Sequence, residues 1–112
     1  MRKPAGVGDV QPKPPWRKRK EAYVAHLRDP DLPEGALRVS LADKLHNARA
    51  ILFDARAGHD VFACFSVPRD QQQWYYDELA ETFAQLSDSP MANQLRRVVD
   101  ELAAHGRDIA QR

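Results

Sequence analysis

From residue 17 onward the apolar positions recur at intervals of three and four, the period of an α-helix. This spacing predicts a first helix over 17–28, with Tyr23, Val24 and Leu27 on its apolar side. Asp29-Pro30-Asp31 ends it, because the ring of a proline pushes the preceding residue out of the helical region. A second helix opens at Pro33 or Glu34 and runs to about Ala57, where Gly58 supplies a stop. A short third helix covers about His59–Phe65 and is broken by Ser66-Val67-Pro68. Asp70 is the expected N-cap of a fourth helix reaching about Ser87, with Tyr75, Leu79, Phe83 and Leu86 on one face. Pro90 stands near the start of a fifth, in which Met91, Leu95, Val98, Val99 and Leu102 repeat at helical spacing, and Gly106 is expected to end it. No stretch alternates with period two over the length of a strand. The pattern therefore predicts an all-α protein of about five helices over residues 17–112. Residues 1–16, with four prolines and two glycines, read as an extended arm.

A chain of 112 residues is enough for one domain. Its net charge is only +1, but the first 20 residues hold seven Lys or Arg against one Asp, so the remainder is acidic. The basic start, Lys13 with Arg17–Lys20 beside Trp16, offers phosphate contacts and a stacking ring. The acidic remainder argues against a dedicated nucleic-acid binder and favours a solvated helix start with a packed Trp. No run approaches the length of a membrane helix, so no membrane partner is expected. Cys64 is the single cysteine; it excludes an internal disulfide and a multi-Cys zinc site, and it reads as packing. The cytosol is the default compartment.

The second helix carries the candidate chemistry. Leu37, Leu41, Leu45, Ala48 and Leu52 share one side, and Val39, Ala42 and Ala50 spread over the other. A helix apolar on so much of its circumference is usually buried. Ser40, Asp43 and Asn47 nevertheless form a polar stripe, with Asp43 and Asn47 four residues apart on one face. A buried carboxylate needs an ion pair, hydrogen bonds or a metal. The plain alternative for Asp43 is a salt bridge, and for Asn47 a helix-to-helix hydrogen bond. Trp74, Tyr75, Tyr76 and Phe83 can line a nucleotide pocket, but aromatic residues at helical spacing more often form core.

The run Val39-Ser-Leu-Ala-Asp-Lys-Leu-His-Asn47, followed by Ala48-Arg49, resembles the last conserved helix of the HD-domain metal-dependent phosphohydrolases, in particular the hydrolase domains that remove pyrophosphate from ppGpp. The segment from Pro14 to Tyr23 is similar to the lead into that motif, and Trp74–Leu79 to the helix that follows it. The resemblance covers roughly residues 10–100. It implies that Asp43 is the last ligand of a divalent metal, with Mn a suitable ion, that Asn47 lies beside a guanosine polyphosphate-like nucleotide, and that Lys44 and Arg49 occupy frequently basic positions, Lys44 near substrate. His46 falls within the motif without being a ligand.

The family site also needs a first His and an adjacent His-Asp pair upstream of the Asp. Here His26 is the one upstream His, and Leu27 follows it. His59-Asp60 has the right letters but lies after Asp43, beside Gly58, where a helix-capping pair is the simpler reading. The chain thus resembles the C-terminal part of an HD domain, a shortened homologue without hydrolase activity of its own. The alternative is a non-catalytic helical module. On either reading the side of the second helix that upstream helices would cover is expected to be left as an apolar patch, favouring a homo-oligomer or a partner chain.

Overall fold

The protein is described from a computed structural model over residues 15–59 and 67–110, with side chains up to Gly106. Among the described residues there are four helices: α1 (Trp16–Leu27), α2 (Glu34–Arg56), α3 (Arg69–Leu86) and α4 (Pro90–Ala110). The all-α expectation holds. The expected helix over 59–65 lies outside the described residues apart from His59, which is not helical.

Prolines set the helix starts. Pro15, Pro33 and Pro68 stand at the N-caps of α1, α2 and α3 with φ of −51°, −61° and −56°. The pyrrolidine ring holds φ in this range whatever follows, so each helix begins from a backbone already turned toward it. The expectation that Asp70 caps α3 is corrected here: Pro68 takes the cap, and Asp70 falls in the first turn, where a carboxylate still complements the helix dipole. At α4 the Ser89 hydroxyl accepts the Ala92 N–H at 3.2 Å, a side-chain cap ahead of Pro90 in the first helical position. Gly58, with φ of 92°, closes the end of α2 as its spacing predicts.

Gly106 does not end the last helix, which continues to Ala110. A Cβ there would lie 3.2 Å from Cδ of Arg69, so the missing side chain lets α4 pass close to the first residue of α3.

Hydrogen bonds fix the directions of the helices. Arg49 pairs with Gln94 and Arg56 with Glu101, the same offset of 45 both times, so α2 and α4 run parallel. Arg17–Gln71 and Arg28–Thr82 share an offset of 54, so α1 and α3 are parallel too. Asp77–Arg96 and Gln73–Val99 run in opposite senses, which makes α3 antiparallel to α4. The core lies along these seams. Leu41, Leu45, Ala48 and Leu52 of α2 and Tyr75, Tyr76, Leu79, Ala80 and Phe83 of α3 form one cluster with Ala92, Leu95, Val99 and Leu102 of α4.

The result is a slab of 55 × 37 × 18 Å. Thinness decides the surroundings of α2. The expectation of an all-round buried helix is corrected: Val39 is 70% and Phe53 73% exposed, and Ala42, His46 and Ala50 share that outer face. Helices on one side cover the leucine stripe, and the described residues bring nothing to the other.

Candidate functional site

Asp43, Lys44 and Asn47 sit mid-way along α2, on the flank nearest α1. Asp43 is at the rim of the outer face, its side chain 60% exposed, with Lys44 Nζ 3.5 Å from its Oδ2. Lys44 is tucked under this edge, its ammonium 4.8 Å from the ring centre of Tyr23 on α1. Ser40 and Asn47 are half-buried. The burial cost that singled out Asp43 in the sequence therefore does not arise, because most of the carboxylate faces solvent. An ion pair this open contributes little, about 0–1 kcal/mol.

Aromatic residues from α1 and α3 form the floor beside this edge. Tyr75 and Tyr76 are buried with ring centres 5.6 Å apart, and Trp16 packs edge-on to Tyr75 at 6.0 Å. Lys20, one turn along α1 from Trp16, holds its ammonium 4.7 Å from the centre of the Tyr75 ring. Burial pushes the Tyr75 phenol pKa well above its ordinary value, and Tyr23, Tyr76 and the Asp43 carboxylate add to the rise. Burial and then Asp43 raise Tyr76 in the same way. The Lys20 ammonium is lowered, first by burial and then by the charges of Lys44 and Arg19. The aromatic run Trp74–Tyr76 is thus core in the main, with Trp74 covered by the Arg17 guanidinium 3.3 Å above its ring. Trp16 packs against the core as the sequence suggested.

These residues do not by themselves fit a divalent ion. Asp43 is one carboxylate with an ammonium against it, and no group of three or more His, Cys, Asp or Glu able to hold a metal occurs among the described residues. His26 is exposed on α1 and His46 on the outer face of α2. His59 is exposed beyond the end of α2, while Asp60 and Cys64 lie outside the described residues. Structure brings together Asp43, Lys44 and Asn47, and adds Lys20, Tyr23, Tyr75 and Tyr76 to their neighbourhood.

A second feature escapes the sequence reading. On the opposite flank of α2, Arg49 and Arg56 face Gln94, Arg97 and Glu101 of α4 across an open groove of about 430 Å³. The seven-residue spacing of Arg49 and Arg56 shows that they share a helix face. Nothing in the sequence shows that α4 arrives parallel and puts Arg97 beside them.

No protein-family model, characterised protein or solved structure matches the chain.

Proposed function

We propose that this chain corresponds to the C-terminal part of the HD-type phosphohydrolase domain, hydrolytically silent by itself, whose α2 offers an incomplete corner to a covering segment. The support is one observation: the outward face of α2, with Val39 70% exposed and Ala42, His46 and Ala50 beside it, is the face whose rim carries Asp43. An apolar stripe of this kind is a cover surface, and the residues of the family-like motif stand where such a cover would meet them. Nucleotide binding, of a guanosine polyphosphate-like ligand, belongs to that completed assembly. A segment bearing imidazoles is the cover the motif calls for, since the motif supplies one carboxylate, Asp43, and the described residues hold no cluster able to bind a metal.

Calorimetric titration of the isolated chain with Mn tests this reading. Tight stoichiometric binding is not expected, and Asp43→Ala leaves the titration unchanged. Tight binding lost in that variant would show that the chain completes its own site. Hydrolysis of ppGpp by the purified chain would equally overturn the proposal. The second reading, a purely structural interaction module, shares the exposed stripe; it is favoured if a covering partner binds equally well to Asp43→Ala and Asn47→Ala.

A further inference from the structure

The groove between α2 and α4 has a chemistry of its own. Its floor is apolar, made by buried Leu52 and half-buried Val98, and Phe53 stands at its edge, 73% exposed. Its rims are basic. Arg56 is held by the Glu101 carboxylate through both Nε and Nη2, but Arg49 reaches only the neutral amide of Gln94. Arg97 is exposed on the same rim. Three guanidinium groups thus share one carboxylate around an apolar floor. This flank is separate from the Asp43 corner: six residues on a helix turn the direction by about 240°, so Arg49 and Asp43 point about 120° apart.

We propose that this groove docks an acidic amphipathic polypeptide segment. An apolar side chain of the segment seats against Val98 and Phe53, and carboxylates on either side of it are taken by Arg49 and Arg97. Guanidinium groups favour carboxylates through paired, planar hydrogen bonds, and an exposed Arg already anchored on one edge loses less freedom on binding. Charge selects this occupant. A nucleic-acid backbone would satisfy the arginines but leave Phe53 and the apolar floor in water, whereas an amphipathic helix covers both the arginines and the ring. The inference does not rest on the phosphohydrolase reading: Arg49 is the one residue of that resemblance's α2 run to line the groove, and its part here comes from its place beside Arg97 and Phe53.

The test uses the full chain and a fluorescein-labelled helical probe of about 15 residues, long enough for marginal helix formation, with Leu at three- and four-residue spacing flanked by Glu. A twin probe has Lys in place of each Glu. Fluorescence anisotropy is expected to show binding of the acidic probe and none of the basic twin. Arg49→Glu with Arg97→Glu should weaken the acidic probe by at least about tenfold, equivalent to 1.4 kcal/mol, and admit the basic twin. Phe53→Ser should weaken the acidic probe without changing the charge preference. All three positions are exposed, and circular dichroism confirms that the variants remain folded. Equal binding of the two probes, no binding of the acidic probe, or indifference to the charge reversal overturns the proposal. So does arginine-dependent binding of duplex DNA in place of the acidic probe, or arginine-dependent dimerisation without any probe, which would make a second copy the occupant.

Discussion

Phe53 and Leu45 are large apolar residues on the same helix, and the fold assigns them opposite fates. Leu45 is 4% exposed in the seam with α4, whereas Phe53 is 73% exposed on the outer face. Full burial of a Phe side chain is worth roughly 1.5–3 kcal/mol. Phe53 buries about a quarter of itself, so Phe53→Ser should cost only about 0.4–0.8 kcal/mol of burial. Leu45→Ala removes buried methyl groups and leaves a void, at a cost of about 2–5 kcal/mol. Urea unfolding followed by circular dichroism separates the two: the midpoint should fall steeply for Leu45→Ala and hardly at all for Phe53→Ser. Repeating the measurement across a wide range of protein concentrations gives the decisive control. If Phe53→Ser destabilises as much as Leu45→Ala at every concentration, the ring is buried within the monomer and the slab arrangement of α2 is wrong. If its cost grows with concentration, the outer face is covered by self-association, and the amount of growth measures that cover.

Four further outcomes follow from the packing. The raised phenols of Tyr75 and Tyr76 contribute stability that is fully present below the ordinary tyrosine value of 10.0 and is lost as pH rises above it through the higher folded-state values; alkaline unfolding should therefore begin above pH 10.0 together with the rise of phenolate absorbance, and phenolate appearing at the ordinary value without unfolding would refute the burial. Lys20, lowered in the folded state, acts with the opposite sign and at lower pH: stability rises as pH climbs from its folded value to the ordinary 10.5, and Lys20→Met should abolish that rise without changing the loss at higher pH. Arg96 joins α3 to α4 through Asp77 at 2.9 Å and pairs within α4 with Asp100 at 2.6 Å; burial lowers its pKa, but the two carboxylates outweigh that and raise it on balance. Because Asp77 is about half-exposed and Asp100 mostly so, Arg96→Ala should cost only about 1 kcal/mol in thermal unfolding, and a loss of several would mean a drier pair. Gly106→Ala should gain less than the roughly 1 kcal/mol that helix propensity alone predicts, since the new Cβ meets the Arg69 side chain; a full gain in thermal unfolding would show that this side chain moves aside at no cost.

Much of the fold was legible before any tertiary contact was known. Periodicity placed all four described helices, every end but the C-terminus of α4 within a residue or two, and the stripes Leu41–Leu45–Ala48–Leu52, Tyr75–Leu79–Phe83 and Leu95–Val99–Leu102 are the core. A 3.6-residue repeat and a locked proline φ act over a few residues, so they can be read from a few residues. Of the exceptions, Pro68 taking the cap in place of Asp70 is a local effect, whereas Gly106 lies inside α4 beside Arg69 of α3, a contact that no local pattern shows.

The candidate sites divide along the same line. That Asp43 and Asn47 share a face, and that Arg49 and Arg56 share another, follows from the sequence by itself. Whether Asp43 is buried, and which cations and phenols surround it, depends on residues far away in the chain: Tyr23 on α1, Tyr75 and Tyr76 on α3. The parallel docking of α2 and α4, which creates the arginine groove, is equally non-local. A helix apolar on most of its surface states only that it wants cover. Which side receives it is settled by the helices that arrive, and here they arrive on one side, leaving Val39 and Phe53 to water.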